Sequence, residues 1–416
     1  MKRLFAISFI LFSVQTLFAQ RLQGPLWAQG NQRSFVGVYG YGSAVSTGLT
    51  NKFASELLFS DQLSVEGRSD QLNRLGEKSI LAGGDYSLAI QGALNLKGGS
   101  MALLFSMSDE AFAEARFKRD AFKLAFNGNK SFAGDTVFID DHSFRIGRFQ
   151  KIGFGWSYQP SLETSYAVML SFVNGESVLD ARVNDSWIYT SLLGDTLQAN
   201  AQTSLFLSDT ANQGFLKHNG AGFMLDFYVE QHFEVLDQQW KASAMIMNVG
   251  AVQWRPNTER YALDTTIVFS GIAVDDFNTV QEQVSAEALQ DSLMQPIRDG
   301  YSRGSVNQFL PGWFQMHIQQ QRARGFVMGL GFSARLQSLA GNYGYIAPGF
   351  RFNERVGLDA EIGYGGFGSF QAGVSGTVHY ARWRAQLRLG NLEAFAAPNR
   401  FGGITAAGGF QYFFGL

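Results

Sequence analysis

The sequence predicts an all-β fold: a transmembrane antiparallel β-barrel of about fourteen strands (12–16), with one or two short helices in its loops or lumen. Three observations lead there. Apolar and polar residues alternate with period two along most of the chain. After residue 19 no apolar run is long enough to cross a membrane as a helix. Aromatic residues make up 14% of the chain, and Gly accounts for 47 of 416 residues, against about 7% in ordinary globular proteins. A strand with hydrocarbon on one side and a polar interior on the other needs this mixture of faces.

The chain opens Met1-Lys2-Arg3, continues apolar from Leu4 to Ala19 and carries Leu17-Phe18-Ala19 before Gln20. A basic start, an apolar stretch and a small residue at the end are the three parts of a secretory signal, so residues 1–19 are expected to be removed near Ala19-Gln20. Residues 20–416 then form a single barrel domain destined for the cell outer membrane. Loss of Lys2 and Arg3 moves the net charge from −2 to −4, which excludes a bulk nucleic-acid binder. The chain has no cysteine, so neither a disulfide framework nor a lipidated mature N-terminus is available. The fold itself must then hold the protein in lipid.

Individual segments show the pattern. In Phe326–Gln337 one face carries Phe326, Met328, Leu330, Phe332, Ala334 and Leu336; the other carries Val327, Gly329, Gly331, Ser333, Arg335 and Gln337. Ala221, Phe223, Leu225, Phe227 and Val229 alternate with Gly222, Met224, Asp226, Tyr228 and Glu230. Phe314, Met316 and Ile318 alternate with Gln315, His317 and Gln319. Val378 and Tyr380 flank His379, and Trp383, Ala385, Leu387 and Leu389 alternate with Arg384, Gln386 and Arg388. Further rows are Ile152, Phe154, Trp156, Tyr158 and Tyr166, Val168, Leu170, Phe172. The expected strands are 34–46, 80–97, 100–108, 143–158, 163–173, 176–190, 198–208, 217–233, 239–254, 260–273, 307–321, 325–339, 343–363 (read as one or two), 368–380, 382–396 and 402–416. That series slightly exceeds fourteen, and its shorter members are candidates for loop segments. Turns are read at Asn174-Gly175, Asn219-Gly220, Asp299-Gly300, Gly341-Asn342 and Pro348-Gly349. Phe410, Tyr412, Phe414 and Leu416 share one face of a last strand, the kind of aromatic ending that barrel-assembly machinery reads.

Two segments break the alternation. Over 109–126, Phe112, Ala115, Phe122 and Phe126 recur at helical spacing, with Arg116 and Arg119 between apolar strips. This insert is the candidate plug or gate helix: Phe112, Arg116, Arg119, Phe122, Phe126. Residues 282–295 carry Val284, Ala288, Leu289 and Leu293 and stop at Pro296, inside a long loop over about 274–306. The mixed stretch 54–79 reads as another loop.

Ala125–Gly134, with Asn127-Gly128-Asn129, followed by Ile152–Ser157, resembles a family of Bacteroidota outer-membrane barrels, the domain of unknown function 5723. Met245–Trp254 and Gly390–Asn399 are similar to further strands of that family. One departure is Asn31-Gln32-Arg33, where members often carry Asn-Pro-Ala. The resemblance spans nearly all of the expected mature chain; it implies the barrel and its location and supplies no catalytic or ligand residue.

Direct candidates for chemistry are few. The five histidines, His142, His218, His232, His317 and His379, show no metal-ligand spacing. Asp140-Asp141-His142-Ser143 puts a histidine beside a serine, but neighbours on a strand point to opposite faces, so no catalytic pair is expected. Asp140-Asp141 and Asp275-Asp276 lack calcium-loop spacing. Residues 301–416 hold ten arginines, no lysine and four carboxylates, Glu354, Asp359, Glu361 and Glu393. Those arginines either tune a pore toward anions or form a lumenal ion-pair network that holds the barrel wall to acidic loops or to a plug, and the network is the favoured reading. Candidate lumen-lining residues are Arg335, Arg384, Arg388, His317, His379, Asp226 and Glu230. The sequence thus leads to a non-enzymatic barrel without cofactor or metal. It touches outer-membrane lipid and the assembly machinery, binds no nucleic acid, and passes or binds a small, possibly amphipathic cargo. The alternative is a non-transporting scaffold that docks surface or secretion machinery on its large loops.

Overall fold

A strand between lipid and lumen must place every second side chain in hydrocarbon, and in the computed structural model it does. The structure describes residues 33–60, 62–96, 100–269 and 298–415. In chain order these form β1 (Ser34–Ser46), α1 (Asn51–Phe59), α2 (Val65–Arg74), β2 (Ile80–Asn95), β3 (Met101–Phe117), α3 (Arg119–Asn127), β4 (Asp135–Phe138), β5 (His142–Tyr158), β6 (Thr164–Thr190) and β7 (Leu197–Leu207). There follow β8 (Gly220–Val235), β9 (Gln238–Trp254), β10 (Glu259–Phe269), β11 (Tyr301–Arg303), β12 (Val306–Phe309), β13 (Gly312–Gln321), β14 (Gly325–Leu336) and β15 (Tyr343–Asn353). The last elements are β16 (Val356–Gly365), β17 (Phe370–Tyr380), β18 (Trp383–Gly390), α4 (Leu392–Ala396) and β19 (Gly402–Phe414).

Fourteen of these strands close a barrel, every pair antiparallel: β1, β2, β3, β5, β6, β8, β9, then β13 through β19. The ring is sealed by β1 against β19, from Ser34 opposite Phe414 to Ser46 opposite Gly402. Closure leaves the wall without an unpaired edge, the condition for a sheet to sit in lipid. At one end the strands are joined by turns of two to five residues, such as Leu236-Asp237, both at positive φ (52° and 56°). At the other end lie the long connections 47–79, 118–141, 191–219 and 255–311. Short turns at the end holding the termini and long loops opposite are the arrangement of outer-membrane-type barrels.

Burial is inverted relative to a water-soluble core. Phe154 is 65% exposed and Leu170 57%, whereas Gln411 is 0% and Glu114 1% exposed. The outward apolar rows run Met101–Met107 on β3, Ile152–Tyr158 on β5 and Tyr166–Phe172 on β6. On β14 and β17 the outward rows span eleven residues, Phe326–Leu336 and Phe370–Tyr380; on β3, β5 and β6 seven residues at ~3.3 Å each make a shorter belt, roughly 23 Å along strands that tilt across the membrane. Tyr158 and Tyr166 edge it on the short-turn side. On the other side the next outward positions are Asp109, Gln150 and Asn174, where Gln150 donates to Asp109 (2.9 Å) and to Glu176 (2.7 Å), and Arg148 meets both carboxylates at 3.1 Å. The loop before β8 folds down over this polar collar: the Leu216 amide donates to Glu176 (3.0 Å), and the Phe215 ring lies 5.2 Å from the Arg148 guanidinium.

Several sequence expectations change. Residues 109–117 continue β3, and only Arg119–Asn127 is helical. Phe112 and Ala115, three apart, would share a helix face but take opposite faces of a strand, and pairing of β3 with both neighbours makes them strand residues. The stretch 54–79 carries most of α1 and all of α2, so the described residues hold four short helices where one or two were expected. Thr50 caps α1 by accepting from the Phe53 amide (3.2 Å), and Ser64 caps α2 by accepting from Gly67 (2.8 Å). These helices pack on α3 through Phe53, Phe122, Phe126, Leu75 and Ile80, at the long-loop rim. Residues 163–190 form one strand: Asn174-Gly175 is no turn but the point where β6 parts from β8 and pairs onward with β7. Pro348-Gly349 lies within β15; having no N–H, Pro348 drops out of the ladder to β16, and pairing resumes at Gly349. Residues 343–363 form two strands. The helix expected at 282–295 lies outside the described residues.

Placement in lipid predicts unequal costs for charge. Leu170→Arg, in the apolar belt, should cost about 2–4 kcal/mol, measured by equilibrium unfolding from phospholipid vesicles. Val268→Arg, on β10 beyond the belt, should change stability by less than ~0.5 kcal/mol.

Candidate functional site

The lumen divides lengthwise. On one side opposing walls meet in an apolar core of Phe35, Tyr39, Tyr41, Met169, Tyr228, Met245, Met247 and Phe413, with alanines between them. Nearer the long loops, this side is filled by ion pairs. Lys151 sits 3.1 Å from Glu110 and 3.8 Å from Asp226, and its ammonium also donates to Asn248. Asn248, at a bulge with φ 61°, donates its amide to Asp226 (2.6 Å) and its side chain to Glu110 (2.8 Å). Arg145 joins Glu114 (3.2 Å) and Asp180 (3.1 Å). The β14–β15 loop crosses the lumen onto this group: Ser338 and the Leu339 amide donate to Glu114, and Arg145 donates to the Gln337 carbonyl (2.8 Å).

The other side, under β13–β18, holds two chambers. The long-loop chamber, about 60 Å³, is lined by Trp313, Tyr343, Tyr345, Phe367 and Arg335. The short-turn chamber, about 240 Å³, is lined by Lys241, Arg351, Arg355, His379, Arg384, Asp359 and Glu361. Arg388 belongs to both. It pairs with Glu361, which accepts from the Tyr343 hydroxyl (2.8 Å). Beside that pair the Tyr345 hydroxyl meets His317 Nδ1 (3.1 Å) and accepts from Gln315 (3.2 Å). This single polar layer separates the chambers.

Glycine shapes the layer. A Cβ at Gly331 would fall within the Tyr345 ring, and one at Gly363 within the Tyr343 phenol. Their absence lets both rings lie flat along the wall instead of filling the passage. Phe112 lies over Gly147 in the same way.

Arg335 closes the barrel at another level. Its guanidinium reaches Asp85 (2.7 Å), seven strands away around a ring of fourteen, and stacks 3.9 Å from the Trp313 centroid. Tyr41 also donates to Asp85.

The candidate lumen residues all face inward, but they do not form one site. Arg335 lines the long-loop chamber, His317 and Arg388 form the dividing layer, and His379 and Arg384 line the short-turn chamber. Asp226 serves the Lys151 cluster; Glu230 joins Tyr228, His232 (3.0 Å) and Lys241 (3.3 Å). Of the candidate plug residues, Phe112 is a lumenal strand residue and Arg116 pairs with Asp141 (3.1 Å). Arg119 donates to the Leu72 carbonyl (3.2 Å), while Phe122 and Phe126 belong to the helix cluster at the rim. The insert is therefore a rim element joined to a strand end. His142 Nδ1 meets the Ile139 carbonyl (2.7 Å), and Nε2 accepts from the Lys118 amide (3.1 Å), so this histidine holds a loop. Missed from the sequence were Asp85, Glu114, Arg145, Trp313, Tyr343 and Tyr345. Asp85, Ser87 and Gln91 alternating with Tyr86, Leu88 and Ile90 was the legible signal for Asp85.

A model of a family of unknown function, DUF5723, matches residues 28–383. The chain belongs to that family. Its fold is similar to that of the toluene transporter TodX of Pseudomonas putida (10% identity, 95% of each chain covered, TM-score 0.39). It is also similar to a FadL homologue of Pseudomonas aeruginosa (7% identity, 92% and 91% covered, TM-score 0.43). A third is the translocator domain of the autotransporter NalP of Neisseria meningitidis (8% identity, 93% and 90% covered, TM-score 0.34). No curated protein sequence matches the chain.

Two measurements probe this interior. Asp85→Ala alone strands a buried guanidinium and should cost about 3–5 kcal/mol. In Asp85→Leu with Arg335→Met most of that cost should be recovered, read as a double-mutant cycle on unfolding. At the rim, hydrogen bonding from the Lys118 ammonium (2.8 Å) holds the Asp140 carboxyl below its ordinary value. The tether is then complete above the unfolded carboxylate pKa and is lost as pH falls through the lowered value. A spin label at Ala125→Cys should gain mobility on acidification, and Lys118→Gln should remove that pH dependence.

Proposed function

We propose that this protein is a non-enzymatic outer-membrane barrel that binds a small amphipathic molecule and passes it along the β13–β18 side of the lumen. The observation that carries this reading is the pair of chambers sharing Arg388, with one layer of side chains between them. One chamber is aromatic and opens toward the long loops; the other is polar and lies toward the short turns. Exchange of the Arg388–Glu361 pair, with rotation of Tyr343, joins them without disturbing the wall. No energy source is needed, because movement follows the concentration gradient. Export behind a signal cleaved near Ala19-Gln20 and insertion by the barrel-assembly machinery are parts of the same proposal.

A second reading, a scaffold, draws support from β6. Its 27 residues continue beyond the belt and carry β4 and β7, with β10 and β11 paired outward from β7. That sheet is a rigid surface beyond the membrane, suited to hold another envelope protein.

Planar-bilayer recording separates the two. The wild-type barrel should give small, infrequent openings, and Arg388→Ala with Glu361→Ala a several-fold larger unitary conductance. Silence in both proteins removes the passage and leaves the scaffold. Stable co-purification of an envelope protein, lost when residues 185–201 are replaced by a tight turn between the paired Asn184 and Gln202, would favour the scaffold directly.

A further inference from the structure

We infer that the short-turn chamber is a binding site for an oxyanion head group, a carboxylate or a phosphate, which Arg388 takes in exchange for Glu361. The inference names the substrate class of the proposed conduit and rests on that reading only for access to the chamber.

The lining supports a head group rather than a hydrocarbon. Five cationic side chains border the chamber, Lys241, Arg351, Arg355, Arg384 and Arg388, against three carboxylates, Glu354, Asp359 and Glu361. Two of those carboxylates are engaged within the lining, Asp359 by Arg351 (2.9 Å) and Glu361 by Arg388. Lys241 reaches Glu230 at the edge (3.3 Å). Among the described residues, no aromatic ring other than the imidazole of His379 borders this space. At about 240 Å³ it has room for a small polar group with water. With Glu230 counted, one positive charge is in surplus; low-dielectric walls strengthen its field, and the planar fork of arginine suits the paired oxygens of a carboxylate or phosphate.

Arg388 is the hinge of the argument. It lines both chambers, so once an anion has displaced Glu361 and the layer is open, the rest of the bound molecule faces Tyr343, Tyr345 and Trp313 in the other chamber. Glu361 already satisfies Arg388 with the same chemistry that the ligand would offer. An incoming oxyanion therefore replaces like with like at Arg388, and the released Glu361 carboxylate turns to the other cations and water of the short-turn chamber that it already lines. The ligand is then an amphipathic anion, and its own head group releases the latch.

Isothermal titration of the purified barrel in non-ionic detergent tests this, with sodium octanoate, inorganic phosphate and octyltrimethylammonium as probes at equal ionic strength. Saturable binding of octanoate or phosphate, and none of the cation, is expected; the tighter of the two anions identifies the head group. Arg388→Gln and Arg384→Gln should each weaken that binding by about tenfold. Arg355→Gln, at an exposed turn that tolerates change, should weaken it several-fold in a barrel of unchanged heat-modifiable migration. Glu361→Gln should tighten it, because a competing carboxylate is gone. Absence of saturable anion binding, equal binding of the cation, or weaker binding in Glu361→Gln overturns the inference. Anion binding in a barrel that stays silent in bilayers would keep this site and remove the passage.

Discussion

Charge inside this barrel has to be answered by charge on another strand, beside it or across the lumen. Hydrocarbon lies outside, the interior is narrow, and a guanidinium left without a carboxylate would cost several kcal/mol. Arg335 and Asp85 meet across seven strands, and Lys151 gathers Glu110, Asp226 and Asn248. Such contacts draw the walls together, so that half of the lumen packs as a core and the other half retains the chambers. Arg335 joins the arginine-rich last third to the acidic earlier chain through Asp85, because strands distant in sequence close on each other. Arg351 and Arg388 pair within the last third, with Asp359 and Glu361 on β16 rather than with loops or a plug.

Aromatic rings and glycines divide the remaining space. A barrel this size is wide enough for large side chains to reach its axis, and rings standing upright would obstruct it. Tyr343 over Gly363 and Tyr345 over Gly331 keep bulk on the wall while leaving their hydroxyls free to bond in the dividing layer. This accounts for part of the unusual glycine and aromatic content. The glycines are the recesses that the rings occupy.

Period-two alternation made most of the wall legible. β1 occurs at the limits read for it, and Arg335, Arg388, His317, Asp226 and Glu230 all face the interior, because a strand fixes parity once one outward residue is known. Partners were not legible. That Arg335 meets Asp85 follows from closure of the ring, which no local pattern contains. Local signals also misled where tertiary pairing overrode them. Gly175 resembles a turn residue, yet its lack of a side chain serves the Trp254 indole that packs over it. Helical spacing through Phe112 gave way to two full ladders on either side of β3.

The polar collar of Asp109, Arg148, Gln150 and Glu176 does more than end the apolar belt. It forms a fixed shoulder, and with Tyr158 and Tyr166 at the far edge it leaves the barrel little freedom to slide along the membrane normal. On the β3–β6 side the belt, about 23 Å along tilted strands, is shorter than the ~30 Å hydrocarbon thickness of an average bilayer, while the outward rows of β14 and β17 run eleven residues. Charged shoulders cannot sink to make up the difference, so the lipid must thin on that side. Hydrophobic mismatch thus becomes one-sided: the same collar that seals the wall deforms the bilayer where β3–β6 face it and leaves the opposite face matched.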